Sequence, residues 1–251
     1  MEFRPCIDLH DGKVKQIVGS TLGYSDQKVV ENFVSTHDSR YYAQLFKKDG
    51  LTGGHVIMLG SGNEQAAKEA LAAYPGGLQI GGGITAENAK SYIEAGASHV
   101  IVTSYIFHDG KLHMERLQKL IEAVGKQHIV LDLSCRQKDG HWYVVTDKWT
   151  KFSDFIVDEA SIRQLEQYCD EFLIHAVDVE GKRSGMQEEL VRDLAQWVHI
   201  PTTYAGGVRS LEDLRQFDAV ANGKLHVTIG SALSIFGGDL SYDEVVAFCA
   251  K

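Results

Sequence analysis

Asp8 and Asp132 stand 124 residues apart, and so do the glycine pairs Gly82-Gly83 and Gly206-Gly207. Two more features recur at nearly the same distance. Thr103-Ser104 is matched by Gly230-Ser231 after 127 residues, and Asp11-Gly12 by Asp139-Gly140 after 128. The chain has 251 residues, so the interval is close to half its length. Chance supplies one such match easily. Four in the same order mark an internal duplication, and whatever fold the chain adopts must be built from two similar halves.

The elements between these marks say which fold. Short apolar runs, read as strands, cover Phe3–Leu9, His55–Leu59, Leu78–Ile80, His99–Thr103, His128–Leu133, Phe172–Val177, Thr202–Tyr204 and Leu225–Ile229. Between them lie stretches with apolar residues three or four apart, the helical period. These are Arg40–Lys48, Asn63–Tyr74, Ala86–Ala95, Leu112–Val124, Glu159–Tyr168, Gln187–Val198, Leu211–Val220 and Tyr242–Ala250. Ser210-Leu-Glu-Asp213 is a capping-box pattern at a helix start. Eight strand–helix pairs in a chain of this length predict a (β/α)8 TIM barrel. A doubly wound open sheet is the alternative. A length of 251 residues allows one or two domains by size alone. The duplication predicts a single barrel domain over 1–251, with half-barrels of about 1–124 and 125–251.

Composition excludes several classes. Hydrophobic residues make up 44% and charged residues 24%, as in a folded globular protein rather than a disordered chain, a coiled coil or a collagen. There are 25 glycines but only 3 prolines, so the glycines serve turns and not a low-complexity tract. A net charge of -9 argues against a general nucleic-acid binder. It does not exclude a small anion, because loops and helix N-termini bind phosphate locally. Cys6, Cys135, Cys169 and Cys249 form no CxxC pair or zinc spacing and are read as free thiols. No stretch of 18 apolar residues occurs, so no membrane span is predicted. The chain enters a strand-like run between Met1 and Asp8, so it is read without a signal or transit peptide. The expected location is the cytoplasm, unless a targeting segment is missing from the sequence.

Active sites of such barrels lie at the C-terminal ends of the strands. Asp8 ends the first strand and Asp132 the fifth, so two carboxylates face each other and suit paired general acid and base work. The blander account is that each caps its loop. Gly81-Gly82-Gly83 and Ala205-Gly206-Gly207 let backbone N–H groups approach an anion. Ser104, Gly230 and Ser231 follow the neighbouring strands. The pattern occurs once in each half, which fits a substrate with a phosphate at each end. His175 lies near the end of strand six, where it is either a core histidine or a catalytic or orienting one; Asp178 and Glu180 in the next loop are further candidate acids.

Two long loops, Asp11–Asp38 and Ser134–Asp158, are equivalent under the repeat and each is expected to carry a hairpin at its Asp-Gly. Trp149 in the second is favoured over Trp142 as an aromatic that closes over a planar ring, because Lys148 and Lys151 flank it. Lys13, Lys15, Lys182, Arg183 and Arg209 are candidate cations at the mouth, with surface solvation as the simpler account. His10, His37 and the other histidines show no ligand spacing, so no metal is expected.

Motifs spread along almost the whole chain carry a family resemblance. They are Arg4-Pro-Cys-Ile-Asp-Leu-His10, Gly12-Lys-Val-Lys-Gln-Ile-Val-Gly-Ser20, His55-Val-Ile, Gln79-Ile-Gly-Gly-Gly83 and Leu131-Asp-Leu-Ser134. Ile174-His-Ala-Val-Asp-Val-Glu-Gly181, Thr203-Tyr-Ala-Gly-Gly-Val208 and Ile229-Gly-Ser231 complete the set. The chain resembles the phosphoribosylformimino-5-aminoimidazole carboxamide ribotide isomerases of histidine biosynthesis, in the form typical of fungi and plants. The resemblance implies a (β/α)8 barrel that performs an Amadori rearrangement, opening an aminoaldose ribosyl ring to a ketose without a cofactor. It implies a doubly phosphorylated small-molecule substrate, with no nucleic acid or membrane partner, and a monomer is expected. By the same resemblance Asp8 is the general base at C2 and Asp132 the general acid of ring opening. Gly82, Gly83 and Ser104 form one phosphate site and Gly206, Gly207, Gly230 and Ser231 the other, while Trp149 is the loop tryptophan.

Two positions depart from the common bacterial form. Met58 stands where that form has Asp, and the text His175-Ala176-Val177 stands where it has Thr after His. The third catalytic residue is therefore open between His175, Asp178 and Glu180, with His175 preferred because it keeps a polar group toward the substrate. The related cyclase subunit of imidazole glycerol phosphate synthase is the nearest alternative; it carries Lys where this chain has Gln16. Phosphoribosylanthranilate isomerase is shorter and lacks the doubled phosphate pattern. A non-catalytic phosphosugar-binding barrel is the alternative of another class, opposed by two carboxylates that would repel a doubly charged ligand.

Overall fold

The computed structural model describes residues 1–17, 31–146, 149–179 and 185–250. Residues 18–30 of the loop Asp11–Asp38 and the candidates Lys148, Glu180, Lys182 and Arg183 lie outside these residues. Eight parallel strands alternate with helices in chain order: β1 (Cys6–His10), β2 (Gly54–Met58), β3 (Leu78–Gly81), β4 (Val100–Val102), β5 (Ile129–Asp132), β6 (Glu171–His175), β7 (Thr202–Ala205) and β8 (His226–Thr228). The helices are α1 (Ser39–Lys48), α2 (Glu64–Ala73), α3 (Ala86–Glu94), α4 (Met114–Val124), α5 (Glu159–Leu165), α6 (Glu188–Trp197), α7 (Leu211–Ala221) and α8 (Tyr242–Cys249). Each expected element is present, with ends shifted by a few residues.

The sheet closes on itself. Phe3 bridges Val227 in parallel, Arg4 N–H donates to the Val227 carbonyl at 2.9 Å, and Val227 N–H donates to the Glu2 carbonyl at 3.0 Å. This settles the barrel over the open doubly wound sheet, because the last strand lies beside the first. The two halves share a register as well: Asp8 stands opposite Ile57 of β2, and Asp132 opposite Leu173 of β6.

Strand alternation sorts the side chains. Ile7 and Leu9 of β1, and Ile129 and Leu131 of β5, point outward into the main core shared with the helices. Cys6, Asp8 and His10 have the opposite parity, as have Val130 and Asp132. Inside the barrel Ile101, Val130, Leu173 and Ala205 form one apolar layer, with Ile57 packed against it. Below it, toward the N-terminal ends of the strands, Arg4, Gln79, Glu171 and Thr203 form a buried polar layer. The carboxylates therefore sit above a filled barrel, at its C-terminal face.

The helix ends follow the sequence with one change. Ser210 caps α7, accepting from Asp213 N–H, but the Asp213 carboxylate turns to the Arg209 N–H at 3.0 Å instead of closing the box on Ser210. Two expected hairpins are found. Asp11-Gly12 joins β1 directly to the strand Lys13–Ile17, and Asp139-Gly140 joins Cys135–Lys138 to His141–Thr146. Both residues of each pair have positive φ, near +50° for Asp and above +70° for Gly, as a two-residue turn matched to strand twist requires. The second loop goes further than a hairpin: Lys151–Val157 adds a third strand. A third hairpin, Phe107–His108 with Lys111–Leu112, turns at Asp109-Gly110, with strands too short to show alternation in the sequence.

Candidate active site

A cavity of about 510 Å³ opens at the C-terminal ends of the strands. Asp8, Asp132, His175, Trp149, Gly82, Gly83, Ser104, Gly206, Gly207, Gly230 and Ser231 all line it. The sequence-derived set thus surrounds one space. β1 and β5 are four strands apart either way round the closed sheet, so the two carboxylates come from opposite walls. Gly82, Gly83 and Ser104 follow β3 and β4 on one side. Gly206, Gly207, Gly230 and Ser231 follow β7 and β8 on the other. Gly82 has φ +92°, and a Cβ there would strike the Met58 carbonyl, so only glycine fits.

The Asp132 carboxylate is held by donors. His175 Nδ1 lies 3.1 Å and Ser134 Oγ 3.0 Å from its Oδ1. Burial pushes this carboxyl up, but His175, with hydrogen bonds from His175, Ser134 and Thr103, outweighs burial and holds it below the usual aspartate value. On the opposite wall Gln16 Nε2 donates to Asp8 Oδ2 at 2.9 Å. His55, from β2, is buried, and its pKa is pushed down to about 3, by burial first and by His175 second. It is neutral at any working pH, with ligand atoms within 4.8 Å of those of Cys6 and Asp8.

Trp149 stands over this region with φ +68°, its ring centroid 5.9 Å from that of His175. Trp142 is buried in the core, as its packing account expected. The His175 choice over Ala176 also has a geometric basis. His175 faces the cavity, whereas Ala176 is 1% exposed in the core and packs beside Gly206. Met58 lines the cavity and accepts a contact from the Tyr92 hydroxyl at 3.6 Å.

Several candidates are not brought to the cavity. Asp178 accepts from Arg136 Nε at 2.8 Å, and that ion pair draws it away from the lining. Lys15 turns to Glu31 at 2.6 Å and to Asp11 at 3.3 Å. The hydrogen bond to Glu31 chiefly raises its pKa. Arg209 pairs with Asp213 at 3.2 Å. Lys13 is exposed and Lys151 begins an outer strand; neither lines the cavity. The cations expected at the mouth are thus, where described, committed to neighbouring acids or solvent. His10, Asp11 and Glu31 also approach one another closely enough for a cation, and the Lys15 ammonium already lies within 3.3 Å of all three.

Polar lining residues without an assigned site role in the sequence include His10, Gln16, His55, Thr103 and Thr228. Thr228 Oγ1 is buried and has no hydrogen-bond partner among the described residues. His55 could have been found from strand parity, because it shares the inward face of β2 with Ile57.

With this geometry in view, comparison with known proteins is decisive. A family model described as "Histidine biosynthesis protein" matches residues 2–240. The chain belongs to this family. Among curated relatives of the histidine biosynthesis family, a chloroplastic protein of Medicago truncatula is 54% identical over 99% of this chain and 81% of its own length. One from Neurospora crassa is 53% identical over 94% of this chain and 93% of its own. One from Saccharomyces cerevisiae is 46% identical over 95% and 94%. All three are named as 1-(5-phosphoribosyl)-5-((5-phosphoribosylamino)methylideneamino) imidazole-4-carboxamide isomerases. No helix among the described residues is long and apolar enough to cross a membrane.

Proposed function

We propose that this protein is the aldose–ketose isomerase of histidine biosynthesis that its relatives are named for, acting on a bis-phosphoribosyl imidazole carboxamide. The carrying observation is the pair of carboxylates, Asp8 and Asp132, on opposite strands of one barrel, each beside a glycine–serine turn. The turns hold the two phosphates through backbone N–H groups and the Ser104 and Ser231 hydroxyls. This resolves the charge question: a chain of net charge -9 takes an anionic substrate by local donors.

The reaction then runs in four proton transfers. The Asp132–His175 pair gives a proton to the ribose ring oxygen as the C1–O bond breaks, leaving an open-chain iminium. Asp8 takes the proton from C2, and the electron pair moves into the C1–C2 bond to form an enaminol. Proton delivery to C1 and loss of the C2 hydroxyl proton give the ketose, so atoms balance and no redox partner is needed. Because the ligand-free Asp132 carboxyl is held low, the proton for ring opening belongs to the pair rather than to Asp132 alone. Trp149 covers the planar imidazole ring and shields these steps from water.

The test is turnover of the aminoaldose by purified protein, supported by rescue of a histidine auxotroph lacking this isomerase. Rescue of a cyclase-deficient strain instead overturns the reading. A monomer in the cytoplasm is proposed. Sizing chromatography tests the first, and a fluorescent fusion tests the second against the plastid location printed for the Medicago relative.

A further inference from the structure

Gln16 is 4% exposed, although it belongs to a hairpin strand beside the barrel mouth. A buried carboxamide has to satisfy both ends. Its Nε2 donates to Asp8 Oδ2 at 2.9 Å and lies 3.8 Å from Cys6 Sγ. A carboxylate only accepts, so the amide nitrogen must face Asp8 and Oε1 must face the other way, toward Gly230. There the structure makes room: a Cβ on Gly230 would lie 2.5 Å from Gln16 Oε1. Gly230 is therefore small for a reason besides phosphate binding. The turn Asp11-Gly12 fixes the approach, because it folds the strand Lys13–Ile17 straight back from the end of β1.

We infer that Gln16 is a positioning residue for Asp8: its neutral carboxamide holds Oδ2 and fixes the carboxylate plane from which the base takes the C2 proton. This rests on the proposed isomerase reading. Other titratable groups around Asp8 are Cys6 and His10 on its own strand, neutral His55 on β2, and Asp132 and His175 across the cavity. Lys15 neighbours Gln16 in sequence but points to Asp11 and Glu31. A neutral donor orients the carboxylate without the proton-affinity loss that an adjacent ammonium imposes. A weaker base is a slower one at C2.

The experiment follows Asp8 directly and then the rate. Carbon-13 carboxyl NMR of the full chain gives the Asp8 titration in wild type, Gln16→Lys and Gln16→Met. The Lys variant should lower the midpoint by about one pH unit or more, by adding a positive charge. The Met variant, of similar length, should raise it by losing a donor. In isomerisation assays both should lose about tenfold or more in kcat, with KM within about twofold, and the acid limb of the rate profile should move as the titration does. Unchanged Asp8 midpoints in both folded variants, or a loss confined to KM, overturn the inference. If Lys at this position prevents folding, Gln16→Met decides alone. Shifted midpoints with no wild-type turnover leave the Gln16–Asp8 linkage standing and sink the isomerase reading instead.

Discussion

His175 Nδ1 lies 3.1 Å from Asp132 Oδ1, and both side chains are 14% exposed at the wall of one cavity. A carboxylate accepts, so His175 donates through Nδ1–H. Against the burial that would raise it, Asp132 is held below its ordinary value of 3.8 by His175, Ser134 and Thr103. The pair therefore joins a proton carrier to an ionised carboxylate. A depressed carboxyl adds stability above its unfolded value and loses it as pH falls through the folded value, so the contribution begins to fall below about pH 4 and is gone below the folded value. His175→Ala should raise the midpoint of acid unfolding and cost about 1–3 kcal/mol at neutral pH, because a buried acceptor loses its donor. His175→Asn keeps a donor near Nδ1 but carries no proton; stability should hold while turnover falls. Chemical denaturation across pH and steady-state kinetics check both, and full turnover in His175→Asn would remove the histidine from proton transfer.

The two carboxylates should respond differently from any packing residue. Asp8→Asn is expected to abolish isomerisation while leaving melting temperature and substrate binding close to wild type. Asp132→Asn should cost about 10²–10⁴-fold in rate. Near-wild-type turnover in Asp8→Asn, or a loss under tenfold in Asp132→Asn, would show that these residues do not carry the proton transfers.

How much of this was legible beforehand depends on whether the signal was periodic or spatial. The repeat put Asp8 and Asp132 at equal registers, and strand parity then turned both inward. Gly82 and Gly206 were legible because a positive-φ turn after a strand leaves glycine as the fitting residue. The pairing of Asp178 with Arg136 was not legible, because Arg136 is 42 residues away in a hairpin that no local pattern joins to it. Gln16 was visible only as a difference from a related family. Its contact with Asp8 depends on how the hairpin folds back over β1. The hairpin at Asp109-Gly110 carries the same Asp-Gly signal as the other two, but its two-residue strands leave no alternating pattern to read.

Trp149 and Trp142 separate function from packing within one loop. Trp149 is only partly buried and is near His175, whereas Trp142 is 5% exposed in the core. Trp149→Ala should lower turnover with little change in melting temperature. Trp142→Ala should cost about 3–5 kcal/mol of stability, the range for deleting a buried large aromatic. Paired melting and kinetic measurements distinguish them, and an equal melting loss in Trp149→Ala would assign that residue to packing.

Thr228 has a buried hydroxyl with no partner among the described residues. An unsatisfied buried hydroxyl is a cost to the folded protein. Thr228→Val removes it with nearly the same shape, so stability should be unchanged or slightly higher. If the substrate uses the hydroxyl, KM should rise about two- to tenfold, the value of one hydrogen bond. Isothermal calorimetry with substrate analogue and thermal melts read the two effects separately. A clear loss of stability in Thr228→Val would mean that the hydroxyl is bonded in the free protein.

At the opposite end of the barrel, Arg4 Nη1 donates to Glu171 Oε2 at 2.6 Å and to Thr203 Oγ1 at 3.3 Å, while Gln79 Nε2 donates to the same Glu171 oxygen at 2.6 Å. Arg4 and Glu171 side chains are 7% and 10% exposed, so neither charge can be left alone cheaply. The pair ties the first strand to the second half, where the closed sheet has its seam. Removing one partner of a buried pair costs about 3–5 kcal/mol, because the other charge stays desolvated. Arg4→Met should therefore destabilise by about that much while leaving kcat of the folded enzyme unchanged, since the apolar layer of Ile101, Val130, Leu173 and Ala205 separates this cluster from the carboxylates. Adding Glu171→Gln should restore most of the loss, and a double-mutant cycle by urea denaturation measures the coupling. Additive losses would mean that Arg4 acts through packing on Gly53, which its guanidinium covers, rather than through the Glu171 charge.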